Sequence, residues 1–479
     1  MSGSSSGGDR EAHLPKQFES HPTRLELRRR DFLKGTVRIT KPDTYVLLKE
    51  NVVCNFPDPE EATSPLHLGF FCAISVEAPR CVVDLGGHSL SQSEEYRQRQ
   101  RFFSLIELNN SPFPPGNARF TTPLASPSDV TIKNGTLGES SHFSIHGALC
   151  GSRILVERVT MRKFEVGAVS ISGADDVTIR RCKIGQAARP KTSSAAVMLQ
   201  DLGKAAQRNG QKEAAKRLWE MTGSWKVKTP EHSDALVRSI VISPTFNVGM
   251  PNLGEKKRLR RVSLHSLDFD DVHSEPLEVV GISTSKGGPP LKDLNGNLIS
   301  MEDAMAGSLV SRVQASLTTD LPSGARSKLM RGPSSSFEPV HGLDIRGHDL
   351  RMKASLFCRV DSCDSVTCHG VRAGKVHSKG RFSAAVGFMF NACTDVSIRD
   401  VFVDGVRVSD ACADALSDAR PQAGMYMRQC KGVDVERLVY KSSEACSFAM
   451  KDTRQANLSR CTLNAPLTAS NTKDLHVRE

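Results

Sequence analysis

One short hydrophobic pattern recurs along this chain and governs what it can become. Apolar residues fall at positions p, p+2, p+5 and p+7. The pattern reads Val83, Leu85, His88, Leu90, then Val130, Ile132, Gly135, Leu137. It continues as Ile154, Val156, Val159, Met161 and Val177, Ile179, Cys182, Ile184. Later copies are Val262, Leu264, Leu267, Phe269; Leu343, Ile345, His348, Leu350; and Val366, Cys368, Val371, Ala373. The last are Val396, Ile398, Val401, Val403; Val433, Val435, Leu438, Tyr440; and Ala456, Leu458, Cys461, Leu463, with a partial copy at Leu475 and Val477. A period of two, a three-residue step and a second period of two specify two short strands joined by a bend. A helix would need returns every three and four residues. Copies start at Val130, Ile154 and Val177, a spacing of 24 and then 23 residues. A period in the low twenties is the mark of a solenoid whose coils stack.

The residues between the apolar ones fit a wall with one buried face. Position p+1 is small and polar: Thr131, Thr178, Ser263, Thr367, Ser397 and Asn457. Position p+3 is Lys133, Glu157, Arg180, His265, Arg346, His369, Arg399 and Glu436. Position p−1 is Asp129, Asp176, Asp395 and Asp474, or Gly342 and Gly432, which is turn chemistry.

These residues resemble the right-handed parallel β-helix of the pectin-lyase-like superfamily, across residues 81–186, 234–283 and 341–479. The segment from Cys81 to Leu90, followed by Asp129 to Leu137, is similar to the opening coils of alginate-epimerase-like β-helices and of β-helix proteins from large DNA viruses. Val37 to Leu47 looks like the lead-in strand of that group. The resemblance implies a fold more than a function, because the superfamily hosts lyases, hydrolases, epimerases, adhesins and virion proteins.

The fold expected is therefore an all-β solenoid, a right-handed parallel β-helix with an N-terminal helical cap and two partly helical insertions. Residues 1–23 are expected as a disordered tail that opens on the Ser/Gly stretch Met1 to Gly8, and 24–80 as the cap and lead-in strands. Within the cap, 24–34 read as an amphipathic helix that covers the first coil. Coils occupy 81–186, 234–283 and 341–479. Residues 187–233 carry strong helix formers from Gln211 to Trp219, with Gly210 separating two short helices. Residues 284–340 contain the N-cap signal Ser300 to Asp303 and a helical stripe at Met305, Leu309, Val313 and Leu317.

Composition narrows function. Twenty Phe, 4 Tyr and 2 Trp argue against a long sugar-stacking groove in a chain of 479 residues. No run of 18 apolar residues exists to cross a membrane. Arg29 to Lys34 matches the core of a twin-arginine export signal, but Gly35 to Asp43 is too charged to serve as the apolar stretch that must follow. With no usable secretion signal and 13 cysteines lacking any C-x-x-C pair, the expectation is a reducing compartment, intracellular or virion-associated, with free thiols and no cofactor or metal.

Net charge is +11, concentrated in Lys256, Lys257, Arg258, Arg260 and Arg261, a candidate polyanion-binding run. Nucleic acid is disfavoured as the partner because interleaved aromatics are missing. The candidate catalytic cluster is His265, Asp268, Asp270, Asp271, His273 and Glu275, of which His265, Asp268 and Asp270 project outward on one wall. Glycosidases place two carboxylates across the scissile bond, and uronate lyases and epimerases need a base plus a cation. The Asp-Pro-His of mannuronan epimerases, the polygalacturonase motif set and the Arg-x-Pro-x-x-Arg of pectate lyases are absent. Cys363, Cys393 and Cys430 share position p−3, where Ala174 and Thr453 stand in other copies, and small inward filling accounts for them.

The expected function is a non-enzymatic structural or attachment protein, such as a virion or surface-assembly component. The alternative is a carbohydrate-active enzyme or lectin acting on acidic polysaccharide. A second copy or an assembly partner is expected at the C-terminal coil, where Leu475 and Val477 alternate with His476 and Arg478.

Overall fold

The computed structural model describes residues 23–55, 71–109, 125–185, 238–243, 258–274, 354–378, 384–408, 423–443, 446–465 and 467–478, except positions 34, 100–102, 148–149 and 166, together with five residues between 207 and 216. Within them the chain is an all-β parallel solenoid. One sheet has eighteen strands and the other eleven, and the strands of both pair in parallel. Among the described residues no helix is long and apolar enough to cross a membrane.

The repeat positions stack one upon another. Cys81 pairs with Val130, Val130 with Ile154, Ile154 with Val177, and Val177 with Val262. The series continues through Val366, Val396, Val433, Ala456 and Leu475. Each apolar position thus meets the same position of the next coil about 4.8 Å away. In the Val396 coil the four pattern residues are at most 1% exposed, and they join one continuous core.

The three-residue step has a specific backbone origin. Position p+4 is left-handed in coil after coil: Asn134 (φ 60°), Arg158 (52°), Arg181 (54°), Ser266 (53°), Gly370 (64°), Asp400 (53°), Arg437 (54°) and Arg460 (54°). Position p−1 is left-handed at Asp129, Arg153, Asp176, Asp395, Gly432 and Asp474. Asn, Asp and Gly tolerate this region, whereas Arg pays a steric cost there. The ladder above and below holds each corner to the same turn.

Four expectations need correction or fall outside the described residues. First, residues 24–34 are not a helical cap. Thr23–Leu27 is a strand paired on Thr44–Leu48, followed by a 3-10 turn at Arg29–Phe32. The alternation of Leu25 and Leu27 with Arg24 and Glu26 satisfies a strand, and the ladder of the next coil supplies its hydrogen bonds. Second, the first copy begins at Cys81 rather than Val83. Val83 pairs with Ile132 while Leu90 pairs with Leu137, so this coil has a wider corner. Gly86 (φ 60°) makes that corner, and a Cβ there would lie 2.6 Å from the Leu48 carbonyl oxygen.

Third, Val262 pairs directly with Val366 in the first sheet, although the sequence predicts a copy at Leu343 to Leu350 between them. Those residues and the stripe at Met305 to Leu317 lie outside the described set. Fourth, of the first insertion only Gln207, Gly210, Lys212, Glu213 and Lys216 are described. The other four are helical, and Gly210 is a left-handed turn (φ 74°).

Between its first and last strands, Val37–Ile39 and Leu467–Ser470, the second sheet is largely buried on both faces. Its inward residues join the main core, while Leu356, Val386, Met389, Ala423, Tyr426 and Ala449 form a second apolar cluster on the outer face. The last described rung, Lys473–Arg478, pairs with Arg454–Ser459 and leaves Val477 60% exposed.

Inward and outward positions of one strand should therefore respond oppositely. Ile398→Ala is expected to lower the free energy of unfolding by about 2–4 kcal/mol through the cavity it leaves. Phe402→Ala, 37% exposed on the same strand, should cost less than about 1 kcal/mol. Denaturant titration of the two variants checks the assignment of faces.

Candidate functional site

The corner at p−1, left-handed from Asp43 to Asp176, carries an alternating column of charge that sequence reading only half detected. Asp43, Arg80, Asp129, Arg153, Asp176 and Arg261 stand on six successive coils. Arg80 Nε lies 2.6 Å from Asp43 Oδ1, Arg153 grips Asp129 through both Nε and Nη2, and Arg261 Nη2 lies 3.0 Å from Asp176 Oδ1. The aspartates are turn residues, as their position requires. The arginines between them pair with the coil before, so the column is a set of stitches. Reading every second coil as Asp hid it.

The candidate catalytic residues do not converge. His265 stands at p+3, half-buried, and burial followed by the neighbouring His369 and Arg180 lowers its pKa. Asp268 is exposed, with Lys183 and Arg372 as its in-register neighbours on the adjoining coils. Asp270 lies 3.9 Å from Lys183 Nζ, and Asp271 Oδ1 accepts the backbone N–H of Lys375 at 2.7 Å. His273 is in the strand Val272–Ser274, and Glu275 lies outside the described residues. The described members string along the outer edge of one coil, with basic or backbone partners rather than an opposing carboxylate.

Of the basic run, Lys256 and Lys257 lie outside the described residues. The three arginines reach aspartates on adjoining coils, Arg258 forward to the next and Arg260 and Arg261 back to the one before. Arg258 Nε is 2.5 Å from Asp364 Oδ1, Arg260 Nε is 3.7 Å from Asp175 Oδ2, and Arg261 joins the corner column. Their placement is that of inter-coil clamps, although Arg260 keeps 80% of its side chain exposed.

A polar network that sequence reading missed lies on the outer face of the second sheet. Ser75, Glu107, His146 and Ser170 occupy one column on four successive coils. His146 Nδ1 is 2.9 Å and 2.8 Å from the two Glu107 carboxylate oxygens, and Phe143 stacks on its ring at 5.3 Å. Nearby, Arg97 Nη1 lies 3.1 Å from Glu165 Oε1, with Glu139 3.6 Å from its Nε. Acid, imidazole and hydroxyl in sequence are the ingredients of a nucleophile–base–acid relay. At 3% side-chain exposure Glu107 and His146 are sealed from substrate, so the pair serves as internal scaffolding. Its signal was present in Phe103 to Glu107 and Phe143 to Gly147, where polar residues sit among apolar ones. The repeat that reveals the coils belongs to the other sheet.

Inside the solenoid, Cys363, Cys393 and Cys430 are at most 1% exposed, on three successive coils at p−3. Burial pushes the Cys363 thiol up to about 11 and the Cys368 thiol up to about 12. All described cysteines are free. Among the described residues no three His, Cys, Asp or Glu side chains converge as a metal cluster.

No protein-family model and no curated protein matches this chain.

The corner at p+4 provides a pH test. Asp400 is held down to about 2, chiefly by its hydrogen bonds from Arg437, with His369 Nε2 also 2.9 Å away. A carboxyl lowered in the folded state contributes stability above its unfolded pKa near ~3.9 and loses it as pH falls toward about 2. Wild type should therefore lose more thermal stability than Asp400→Asn between those two values, by an amount reduced by solvent screening. Equal acid slopes by calorimetry would remove the interaction from the account.

Proposed function

We propose that this protein is a non-enzymatic structural or attachment protein built as a pectin-lyase-like β-helix, a component of a larger assembly such as a virion or surface structure. The observation that carries this reading is the coil-to-coil pairing of the exposed wall. Asp43, Asp129, Asp176, Asp364 and Asp400 each meet an arginine of another coil, so carboxylates that could flank a substrate instead tie the rod together. Such pairing contributes rigidity and register along the axis, which an attachment rod needs and a catalytic groove does not. The buried outer face of the second sheet supports the same reading, because it leaves that broad flat surface closed.

A carbohydrate-active enzyme or lectin acting on acidic polysaccharide is the second reading. It is favoured by the exposed column Lys183, Asp268, Arg372, where a carboxylate stands between two cations. A base flanked by cations suits proton abstraction from a uronate.

Purified protein should release neither unsaturated products nor new reducing ends from alginate, pectate or neutral glycans. Turnover that vanishes in Asp268→Asn, with the melting temperature unchanged, would establish the enzymatic reading and sink the first. Proteomics of isolated particles and cell fractions then tests membership of an assembly.

A further inference from the structure

The corner at p+4 carries stacked arginines in two places, and the two differ in how much acid they hold. The corner is convex, because the apolar residues on both sides of it face one core. On the coils that start at Val396, Val433 and Ala456 the arginines are matched. Arg399 lies 3.5 Å from Asp434 and 3.6 Å from Glu436. Arg437 is gripped by Asp400 and lies 2.8 Å from Glu436, and Arg460 meets Glu436 as well. Three carboxylates there face three guanidiniums.

The coils that start at Ile154 and Val177 hold no such match. Between p+3 and p+8 they present Arg158, Arg162, Arg180, Arg181 and Lys183 against one carboxylate, Glu157. Glu157 is shared by Arg158 at 2.5 Å, Arg180 at 3.2 Å and Arg181 at 3.6 Å. One negative charge cannot neutralise three cations, and Arg180 Nε has no acceptor among the described residues. Lys183 Nζ is 3.9 Å from Asp270 on the next coil, and Arg162 is exposed. The surplus faces solvent, since the Arg158 and Arg181 side chains are 47% and 59% exposed. Its field reaches the next coil, where burial and then the charges of His369 and Arg180 hold the His265 pKa down. The run from Lys256 to Arg261 has less to offer, because its three arginines already meet Asp364, Asp175 and Asp176.

Adjoining coils stand about 4.8 Å apart, so the five cations crowd into one step along the axis. A polymer with one carboxylate per sugar is too sparse for that density, whereas a chain with several strong-acid groups per ring matches it. Guanidinium groups bind such oxyanions through paired N–H donors. No aromatic residue stands between p+3 and p+8 on these two coils, so the ridge offers nucleic-acid bases nothing to stack on. We propose that Arg158, Arg162, Arg180, Arg181 and Lys183 form a convex ridge that binds a sulfated polysaccharide. The ridge gives the attachment reading a ligand and rests on that reading for its biological role.

The probe is heparin, immobilised, with the full-length protein eluted by a salt gradient. The native protein should be retained at about 0.15 M salt. Arg181→Gln should elute earlier, with the slope of log affinity against log salt smaller by about one. Arg460→Gln is the matched control, at the same corner position and 60% exposed, and should elute with the native protein. Arg162→Gln/Lys183→Gln, which leaves the left-handed corner intact, should reproduce the loss with a slope smaller by about two. Melting curves confirm that each variant folds. No retention of the native protein overturns the ridge, as do equal losses in Arg181→Gln and Arg460→Gln. Polygalacturonate that competes as well as heparin overturns the sulfated ligand, and single-stranded DNA of equal charge that does so replaces it with nucleic acid. Absence of the protein from isolated particles would count against the attachment reading while the ridge stands on its own retention data.

Discussion

The whole molecule depends on the parallel hydrogen-bond ladder that sets one coil on the next. Because equivalent atoms repeat about every 4.8 Å, whatever one coil does at a position, the next coil must accommodate at the same position. The left-handed corner at p+4 shows how strict this is. It is occupied by Asn134, Asp400 and Gly370, which suit it, and equally by Arg158, Arg437 and Arg460, which do not. Local preference yields there to the register of the stack, since breaking one corner would unpair two coils.

The same repetition decides where charge can sit. Like charges in a column repel unless an acid of a neighbouring position meets them, as Glu157 meets the stacked Arg158 and Arg181 and Glu436 meets Arg437 and Arg460 at p+4. The p−1 column alternates acid and base over six coils. At p+3 the solution differs, with Glu157 meeting Arg158 at 2.5 Å and Arg180 at 3.2 Å. Individually such surface pairs contribute little. Arranged as a ladder they oppose slippage, because a one-coil shift would set like charges together.

Burial separates the two sheets in role. The eighteen-stranded sheet has one dry face and one wet face, hence its legible alternation. The eleven-stranded sheet is dry on both through most of its strands, and two ion pairs, Glu107–His146 and Arg97–Glu165, are buried. Buried charges persist only when paired in this way. That condition cannot be read from one strand, because the partners lie 39 and 68 residues away on other coils.

Periodicity alone determined the fold class, the stacking of Val130 through Leu475 and the inward set, because an alternating pattern with a fixed step has one economical solution. It misread places where a pattern is short. Residues 24–34 carry both helical and strand periodicities, and the ladder offered by Thr44–Leu48 decided for strand. Spacing nominated His265, Asp268 and Asp270 as outward, and outward they lie; which charges face one another was decided only in three dimensions. A sequence specifies which side of a strand a residue takes, since that depends on its own period. Its neighbour across the ladder comes from another coil, and only the folded register brings the two together.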